Sequence, residues 1–339
     1  MSLFEAIDLA SSGVEVPSKI LESAFHSIMQ GEASDAEVAG LLVALRTKGE
    51  TSSEIMAAAR ACLENADMNH LPDERAIDTC GTGGDGAETF NISTISALVA
   101  AGAGATVVKH GNKAASSRSG SYDVLEALGV KADLPVSFAA EMARNIGIGF
   151  FFARRAHPAM RYMANARQRL KIRTIMNCLG PILNPVRVKR QLLGVYDQAL
   201  VMPIAQVLRG LGSERVMVVH GSDGLDELTT TGTSFAVFWD GVEMVDYTVD
   251  PEQYGIKLAR PEDLRGGDPV TNAKIGTSIL SGELGAPRDI VVLNSGAALW
   301  VAGLAENFEK GIEAAAKSID SGEAKKKLEA LIRYSQREA

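Results

Sequence analysis

Four glycines lie within six residues of this sequence, at Gly81, Gly83, Gly84 and Gly86. Glycine permits positive φ angles and places no side chain between the backbone and a ligand. The N–H groups of such a turn can converge on an anion. Residues 91–94, Asn-Ile-Ser-Thr, have the composition of a helix start, which adds free N–H groups and a partial positive charge. The pattern predicts a loop that binds phosphate.

A second donor-rich loop follows the next β-branched stretch, at 106–108. It begins with Lys109, His110 and Asn112 and continues into a cluster of serines and glycines at 116–121. Loops that follow strands of an open parallel sheet lie at its carboxyl edge, where ligands bind. We therefore predict a ligand with at least two anionic groups, one for each loop. The alternative is two ordinary turns, and neither a P-loop motif nor a complete Rossmann motif is present.

An acidic pair, Asp226 and Glu227, follows an apolar stretch at 215–219 and the loop that begins at His220. Carboxylates in a loop after a buried strand supply the oxygen ligands that Mg²⁺ prefers. The alternative is an exposed acidic turn, which is the commoner structure for such a pair. The phosphate-type loops elsewhere in the chain favour the metal.

The segment from Arg154 to Arg173 contains seven Lys or Arg residues and no acidic residue. One interpretation is a pocket for an anionic substrate, in which a guanidinium group pairs with a carboxylate. The other is a solvated basic face, and the sequence leaves both open.

Composition narrows the class of protein. The chain has 339 residues, a formal net charge of −8 and 46% hydrophobic residues, which is ample for a large core. A broad basic surface for nonspecific nucleic-acid binding is therefore not expected. Three cysteines without a CxxC pair favour a reduced, cytoplasmic protein, with Cys80 as a buried filler. No signal peptide or membrane span is expected.

The elements that must position these residues fall into two parts. Residues 1–66 read as helices with two capping boxes, Ser34–Glu37 and Thr51–Glu54, and no strand pattern. Strands and helices alternate afterwards, and the segment 180–185, which contains glycine and proline, is predicted to interrupt the regular elements. Predicted strands lie at 148–152, 191–196 and 215–219, with a hairpin at 234–239 and 242–249. Helices are predicted at 135–145 and 200–211, and from Gly266, Asp289, Asn307 and Gly322.

Four motifs in this order and spacing resemble the anthranilate phosphoribosyltransferases over nearly the whole chain. They are GTGGDG with NIST at 81–94, KHGN with DVLEALG at 109–129, HPAM with RTIxNxLGPxxNP at 157–185, and HGxDGLDE at 220–227. The resemblance implies transfer of the phosphoribosyl group of phosphoribosyl pyrophosphate (PRPP) to anthranilate, with Mg²⁺ as two ions.

The implied fold is a small all-α domain plus a larger α/β domain with a central, mostly parallel sheet flanked by helices. The helical domain would span 1–70, with helices near 160–183 returning to it. The phosphoribosyl-binding domain would span 71–156 and 184–339. A cytoplasmic homodimer formed through the helical domain is expected, with no nucleic-acid or membrane partner.

The resemblance also implies a role for each residue at a matching position. Anthranilate would contact Gly81, His110, Asn112 and Arg167. Mg²⁺ would be ligated by Ser93, Asp226 and Glu227. PRPP would be held by Gly81, Gly84, Asp85, Thr89, Asn91, Ser93, Thr94, Lys109, Ser117 and Ser121.

Three positions depart from the family pattern. Arg154 stands where the family usually has proline, Asn165 replaces a common proline, and Tyr122 replaces a common alanine. Because Arg154 is expected at the entrance for the aromatic substrate, a related aromatic acid is an alternative acceptor. Two rival interpretations are a pyrimidine nucleoside phosphorylase and a nucleic-acid-binding relative of the family.

Overall fold

The computed structural model describes residues 2–71, 73–113 and 118–338 of the chain. The first part is helical, as predicted, with α1 (Ser2–Ser11), α2 (Ser18–Met29), α3 (Asp35–Lys48) and α4 (Ser52–Glu64). Both predicted capping boxes form: Ser34 caps α3 with Glu37, and Thr51 caps α4 with Glu54. These caps satisfy N–H groups that the helix leaves without partners, and so they fix where each helix begins.

Strands and helices then alternate through the first half of the α/β part. The elements are β1 (Ile77–Gly81), α5 (Ile92–Gly102), β2 (Val107–Gly111), α6 (Ser121–Ala127), α7 (Val136–Ile146) and β3 (Ile148–Phe152). The predicted order of strand, loop, helix and strand around the glycine-rich loop is therefore confirmed.

Three helices interrupt the alternation: α8 (Ala153–Ala156), α9 (Arg161–Leu170) and α10 (Ile175–Ile182). Helix α9 packs on α3, and α10 packs on α4. The interruption of regular structure predicted at 180–185 begins too early, because Gly180 and Pro181 belong to the last turn of α10. Proline has no N–H to donate, but its carbonyl oxygen accepts a hydrogen bond from the Gln191 side chain at 2.6 Å.

The second half of the α/β part completes the sheet and adds helices to both of its faces. Its elements are β4 (Arg190–Gly194), α11 (Val201–Gly210), β5 (Arg215–Gly221), β6 (Ser234–Trp239), β7 (Met244–Val249), α12 (Pro269–Leu280), α13 (Ala286–Val301), α14 (Phe308–Asp320) and α15 (Glu323–Ser335). Helix α13 begins three residues before the predicted Asp289, because Pro287 in its first turn has a φ angle already suited to a helix.

The seven strands form one sheet in the order β3-β2-β1-β4-β5-β6-β7. The first five are parallel to one another, β6 is antiparallel to β5, and β7 is antiparallel to β6. The predicted fold class is confirmed. The chain leaves β1 toward β2 on one side and returns to β4 on the other. Such a reversal of strand order creates a crevice at the carboxyl ends of the strands.

Both faces of the sheet are buried, as parallel strands require. Along β5, Met217 and Val219 contact the cluster formed by α5 and α13, whereas Val216 and Val218 contact the cluster of the helical part. The helical part therefore packs against the sheet. None of the helices in the described part of the chain combines the length and apolar content that crossing a bilayer requires.

Candidate active site

The crevice between β1 and β4 contains the most tightly fitted contact of the site. Gly81 and Gly194 are paired at the ends of these strands. A Cβ atom on Gly81 would lie 2.3 Å from Oδ2 of Asp226, and one on Gly194 would lie 1.5 Å from the Asp226 carbonyl oxygen. Glycine is needed at both positions because the Asp226 segment passes directly over them.

The glycine-rich loop presents its backbone N–H groups as the sequence predicts. Gly83, Gly84 and Gly86 have φ angles of +67°, +74° and +79°. The Gly83 N–H donates to Oδ2 of Asp226 at 2.6 Å. Within the described residues, no protein group accepts a hydrogen bond from the N–H of Gly84, Asp85 or Gly86. These free donors suit an anionic ligand.

The acidic pair is not the exposed turn considered as the alternative. Asp226 is only 9% exposed, and Oε1 of Glu227 accepts the Ser93 N–H at 3.1 Å. Burial, followed by repulsion from Glu227 and Asp85, raises the pKa of Asp226 well above its ordinary value. Burial also raises the pKa of Glu227 to about 7, although Lys109 opposes that rise. The pair thus lies where a cation would be strongly stabilised.

Lys109 supplies the positive charge that β2 brings to this centre. It is 2% exposed, and its ammonium group donates to the Thr79 carbonyl oxygen and to Oγ of Ser93 at 3.2 Å. Thr94, also buried, has a hydroxyl group with no partner within the described residues. Lys109, Ser93 and Glu227 therefore form one polar group at the start of α5.

Asn91 joins the first loop to the second. It occupies the predicted N-cap position of α5, but its side chain makes no capping hydrogen bond. Instead its Nδ2 donates to the Ser119 carbonyl oxygen at 3.2 Å. Its Oδ1 accepts from Oγ of Ser119 at 3.2 Å and from Nδ2 of Asn272 at 3.0 Å. The two loops thus lie side by side at the same edge.

The second loop folds back on itself at the start of α6. The Asn112 carbonyl oxygen accepts from Oγ of Ser121 at 3.2 Å and from the Tyr122 N–H at 3.3 Å. The Tyr122 ring is fully buried and stacks on Phe152 at 4.5 Å. Ser117, which was predicted to bind PRPP, lies outside the described residues.

His110 is held as a neutral imidazole. Its backbone N–H donates to Oδ1 of Asp78 at 3.2 Å, and its Nδ1 lies 3.0 Å from the Gly180 carbonyl oxygen. Burial, followed by the neighbouring His157, lowers the pKa of His110 to about 3. Nδ1 must then carry the proton, which leaves Nε2 as an acceptor without a partner within the described residues.

Arg167 and Thr89 are among the predicted residues that have no hydrogen bond to Lys109, Ser93 or Glu227. Arg167 lies on α9, where burial lowers the pKa of its guanidinium group, and this group makes no hydrogen bond or ion pair within the described residues. Thr89 pairs with Arg265 in an isolated bridge beyond the glycine-rich loop. Arg154 is exposed directly after β3.

Three residues at the site were not assigned a role from the sequence. Arg173 donates to the Gly84 carbonyl oxygen and stacks over Tyr196. Asn272 bonds to Asn91, as described above. Asp78 is fully buried beneath the loops, and burial raises its pKa to about 6. The basic segment 154–173 contained a signal for Arg173, but nothing local in the sequence marks Asn272.

The donor set fits Mg²⁺ together with a phosphorylated ligand. Across 2–71, 73–113 and 118–338, no three His, Cys, Asp or Glu side chains come together as a metal site. Asp226 and Glu227 nevertheless have raised pKa values because they are buried beside each other. A hard cation would relieve this repulsion, with its remaining ligands taken from a hydroxyl group, water and phosphate.

The fold and the site define a glycosyltransferase built from a helical bundle and an α/β domain. Residues 73–325 match the family described as "Glycosyl transferase family, a/b domain". Residues 12–66 match the family described as "Glycosyl transferase family, helical bundle domain".

Individual relatives narrow this class. An anthranilate phosphoribosyltransferase from Rubrobacter xylanophilus is 46% identical over 99% of this chain and 98% of that protein. The crystal structure of anthranilate phosphoribosyltransferase from Thermus thermophilus matches with a TM-score of 0.93 at 41% identity, over 98% of this chain and 99% of that one. The enzyme from Saccharomyces cerevisiae, solved in complex with PRPP and Mg, matches with a TM-score of 0.89 at 29% identity over 98% of each chain. This chain belongs to the anthranilate phosphoribosyltransferase family, as its motifs predicted.

Proposed function

We propose that this chain transfers the phosphoribosyl group of PRPP to the amine of anthranilate, releases pyrophosphate and so serves tryptophan biosynthesis. One observation carries the proposal: two donor-rich loops and a buried acidic pair meet at one edge of the sheet. Asn91 joins the loops, and Glu227 joins the acidic pair to the start of α5. Such a site suits a donor with phosphate groups at both ends.

The residue roles implied by the motifs remain part of this proposal. The diphosphate and ribose of PRPP would contact the first loop and the start of α5, through Gly81, Gly84, Asp85, Thr89, Asn91, Ser93 and Thr94. The remaining groups of PRPP, including the 5-phosphate, would contact Lys109, Ser117 and Ser121. Ser93 and Glu227 would hold one Mg²⁺, and Asp226 and Glu227 a second. Anthranilate would contact Gly81, His110, Asn112 and Arg167.

The chemistry follows from charge. Displacement of pyrophosphate leaves positive charge on the ribose and negative charge on the leaving group. The free N–H groups of the first loop are fixed donors for that negative charge. When bound, Mg²⁺ stabilises the same negative charge. Holding the amine against C1 of the ribose supplies much of the remaining rate enhancement.

The acceptor end contains neutral and cationic groups rather than a strong base. His110 is neutral, and Arg167 is a cation suited to the carboxylate of an aromatic acid. We infer that the amine loses its proton late, with help from the acceptor's own carboxylate. A covalent adduct between the enzyme and ribose, detected by mass spectrometry, would contradict this mechanism.

The proposal is tested by mixing the protein with PRPP, Mg²⁺ and anthranilate and following the loss of anthranilate fluorescence. We expect turnover that stops when EDTA is added. Pyrophosphate release only with another aromatic acid would keep the mechanism and change the acceptor. Phosphorolysis of a pyrimidine nucleoside without any PRPP reaction would reject the proposal.

The helical part also offers a surface for a second copy of the chain. Helices α1 and α3 border a largely apolar groove of about 510 Å³. Phe4 and Val43 are exposed on these helices, at 65% and 36%. We propose a homodimer formed through this groove, which is lined by Ile7, Ala10, Ser11, Ala39, Gly40, Val43, Ala44 and Thr47.

Two further expectations remain proposals. The division into a helical domain at 1–70, joined by helices near 160–183, and an α/β domain at 71–156 and 184–339 is supported by the packing of α9 and α10 on α3 and α4. A cytoplasmic location is supported by three buried cysteines that are all free.

A further inference from the structure

The glycine-rich loop is held from outside by one cation. Arg173 lies between α9 and α10, and its Nη2 donates to the Gly84 carbonyl oxygen. Among the carbonyl groups of residues 82–87, this is the one hydrogen bond to a described residue. The loop otherwise has positive φ angles and few neighbours. Arg173 therefore restrains the orientation of the Gly84 carbonyl group, on the side of the loop away from the bond between Gly83 and Asp226.

Arg173 is itself held in place, by a contact of its side chain and by the buried residues that follow it in the chain. The Arg173 guanidinium lies 4.1 Å from the centre of the Tyr196 ring, a distance typical of a cation–π contact. The Tyr196 N–H donates to Oγ1 of Thr82 at 3.0 Å, at the base of the same loop. On the other side, Thr174 and Ile175 are buried at the start of α10. The guanidinium group is thus fixed between the helical part and the loop.

The hydrogen bond that fixes the Gly84 carbonyl group also fixes the direction of a backbone donor, the Asp85 N–H. In a planar trans peptide, the carbonyl group and the N–H group of the next residue point in opposite directions. When Arg173 holds the Gly84 carbonyl on its side, the Asp85 N–H must point away from Arg173. That N–H has no acceptor within the described residues. The hydrogen bond therefore orients a free donor without using it.

We propose that Arg173 is a positioning residue for the diphosphate end of the donor substrate, acting through the Gly84–Asp85 peptide. This inference rests on the proposed function for the identity of the substrate. This positioning role differs from the general electrostatic attraction of an anion. A loop glycine with a positive φ can reverse the orientation of its peptide at low cost, so the guanidinium group acts by holding the Gly84–Asp85 peptide in one orientation. Without the guanidinium group, the loop samples both orientations, and diphosphate binding must select one of them.

The test measures binding of the two halves of the donor separately. Magnesium pyrophosphate and ribose 5-phosphate are titrated calorimetrically into wild type, Arg173→Met, Arg173→Lys, Tyr196→Leu and the control Lys171→Met. Lys171 is an exposed cation two residues away whose side chain makes no hydrogen bond or ion pair within the described residues. Its substitution changes the net charge as much as Arg173→Met does, but leaves the loop contact intact.

We expect Arg173→Met to weaken pyrophosphate binding and raise the KM for PRPP by about tenfold, the effect of one exposed charged hydrogen bond. Ribose 5-phosphate affinity and the KM for anthranilate should stay within about twofold of wild type in the same measurements. Arg173→Lys and Tyr196→Leu should each give an intermediate loss of pyrophosphate affinity. When substitutions at the two positions are combined, their effects on this affinity should not be additive. Lys171→Met should resemble wild type.

Three results would overturn the inference. The first is wild-type pyrophosphate affinity in Arg173→Met, and the second is an equal loss in Lys171→Met, which would indicate charge attraction alone. The third is a loss of affinity that is the same for pyrophosphate and for ribose 5-phosphate, in both Arg173→Met and Arg173→Lys. This result would indicate general damage to the fold. If wild type binds pyrophosphate but does not consume anthranilate, the proposed function fails while the inference about the loop is still judged by the titrations.

Discussion

At the scale of single residues, the site is organised by buried charge. Burial raises the pKa of both Asp226 and Glu227. The charge of Glu227 raises the pKa of Asp226 further, and Lys109 offsets part of the rise at Glu227. Isolated buried carboxylates are costly unless they are paired or bound to a metal. The buried carboxylate pair therefore makes the protein less stable at the place where a cation and a phosphorylated ligand would meet.

This cost leads to a prediction for Asp226→Asn. Removing one carboxylate lowers the attraction for Mg²⁺, so we expect the Mg²⁺ concentration for half-maximal rate to rise on the order of tenfold or more, with slow turnover. Initial rates measured across a Mg²⁺ titration at saturating PRPP provide the check. Asp246→Asn, an exposed carboxylate on β7, is the matched control. Wild-type Mg²⁺ dependence in Asp226→Asn would remove this residue from the metal site.

The buried imidazoles predict how stability depends on pH. The pKa of His110 is lowered to about 3 by burial and by His157, while an unfolded histidine titrates near its ordinary value of about 6.5. Between these values the unfolded chain binds more protons, so the free energy of unfolding falls as the pH drops below about 6.5. One such histidine contributes a slope of up to about 1.4 kcal/mol per pH unit. Asp78, whose pKa is raised to about 6, opposes part of this loss.

Urea unfolding of wild type and His110→Gln at pH 7.5 and 5.5 measures this contribution. We expect the variant to lose less stability than wild type on acidification, because glutamine carries no proton that burial excludes. His70→Gln, at an exposed histidine, should behave as wild type. Parallel pH profiles for wild type and His110→Gln would show that His110 is protonated at the same pH in both states.

The residues proposed to bind ligands were easier to predict than the residues that hold these proposed ligand-binding residues in place. Residue type and spacing point to Gly84, Ser93, Lys109 and Glu227 because phosphate and Mg²⁺ demand particular donors and acceptors. The bonds between Asn91 and Ser119, and between Arg173 and Gly84, depend on how distant segments approach each other. Only the folded chain reveals those contacts.

At the scale of elements, the crevice exists because β1 and β4 end in glycines under the Asp226 segment. Gly194→Ala would place a Cβ 1.5 Å from a backbone oxygen, and a backbone atom cannot turn aside as a side chain can. We expect a loss of about 1–3 kcal/mol in the free energy of unfolding, together with loss of Mg²⁺-dependent turnover, because Asp226 must shift. Chemical denaturation and the fluorescence assay measure the two effects.

Gly180→Ala is the control for this substitution. Gly180 lies within α10, and a Cβ added there has nothing within 4 Å. Alanine in a helix is favoured over glycine by roughly 0.5–1 kcal/mol, so this variant should be at least as stable as wild type. Equal stability of the Gly194 and Gly180 variants would mean that the crevice can widen, and that the close approach of Asp226 is not required.

Most elements could be predicted because their ends carry local signals. The capping boxes fix the starts of α3 and α4, and the apolar run at 148–152 is β3 itself. The helix boundaries that were misplaced most all involve proline: α12, for example, begins at Pro269 and not at the predicted Gly266. Pro181 lies inside the end of α10 and Pro287 at the start of α13, and local rules could not decide between a helix end and a helix turn.

At the scale of the whole molecule, the sequence predicts the fold class but not the strand order. Alternating strands and helices indicate a parallel sheet, yet they do not show that β1 lies at the point where the order reverses. That position brings the first loop, the second loop and the acidic pair to one edge. The approach of α9 and α10 to the helical part was implied by family motifs alone, because the basic stretch has no pattern that identifies its packing partner.

The exposed groove between α1 and α3 leads to a prediction for the oligomeric state. An apolar face of this kind is stabilised by covering it, and a second copy of the same face is the simplest partner because a twofold axis makes it complementary to itself. Val43→Asp would place a charge within the groove, at a valine that is 36% exposed. We expect this variant to sediment as a monomer at concentrations where wild type sediments as a dimer.

Val270→Asp is the matched control, since Val270 is a 57% exposed valine in the first turn of α12, outside the groove. It should leave the sedimentation of the wild-type species unchanged. Because the loops and the acidic pair all lie in the α/β part, a monomeric Val43→Asp protein should still bind magnesium pyrophosphate. Wild type that sediments as a monomer would reject the proposed interface. A dimer that persists in Val43→Asp would place the contact on another face of the helical part or on the sheet, because a buried aspartate without a partner is strongly unfavourable.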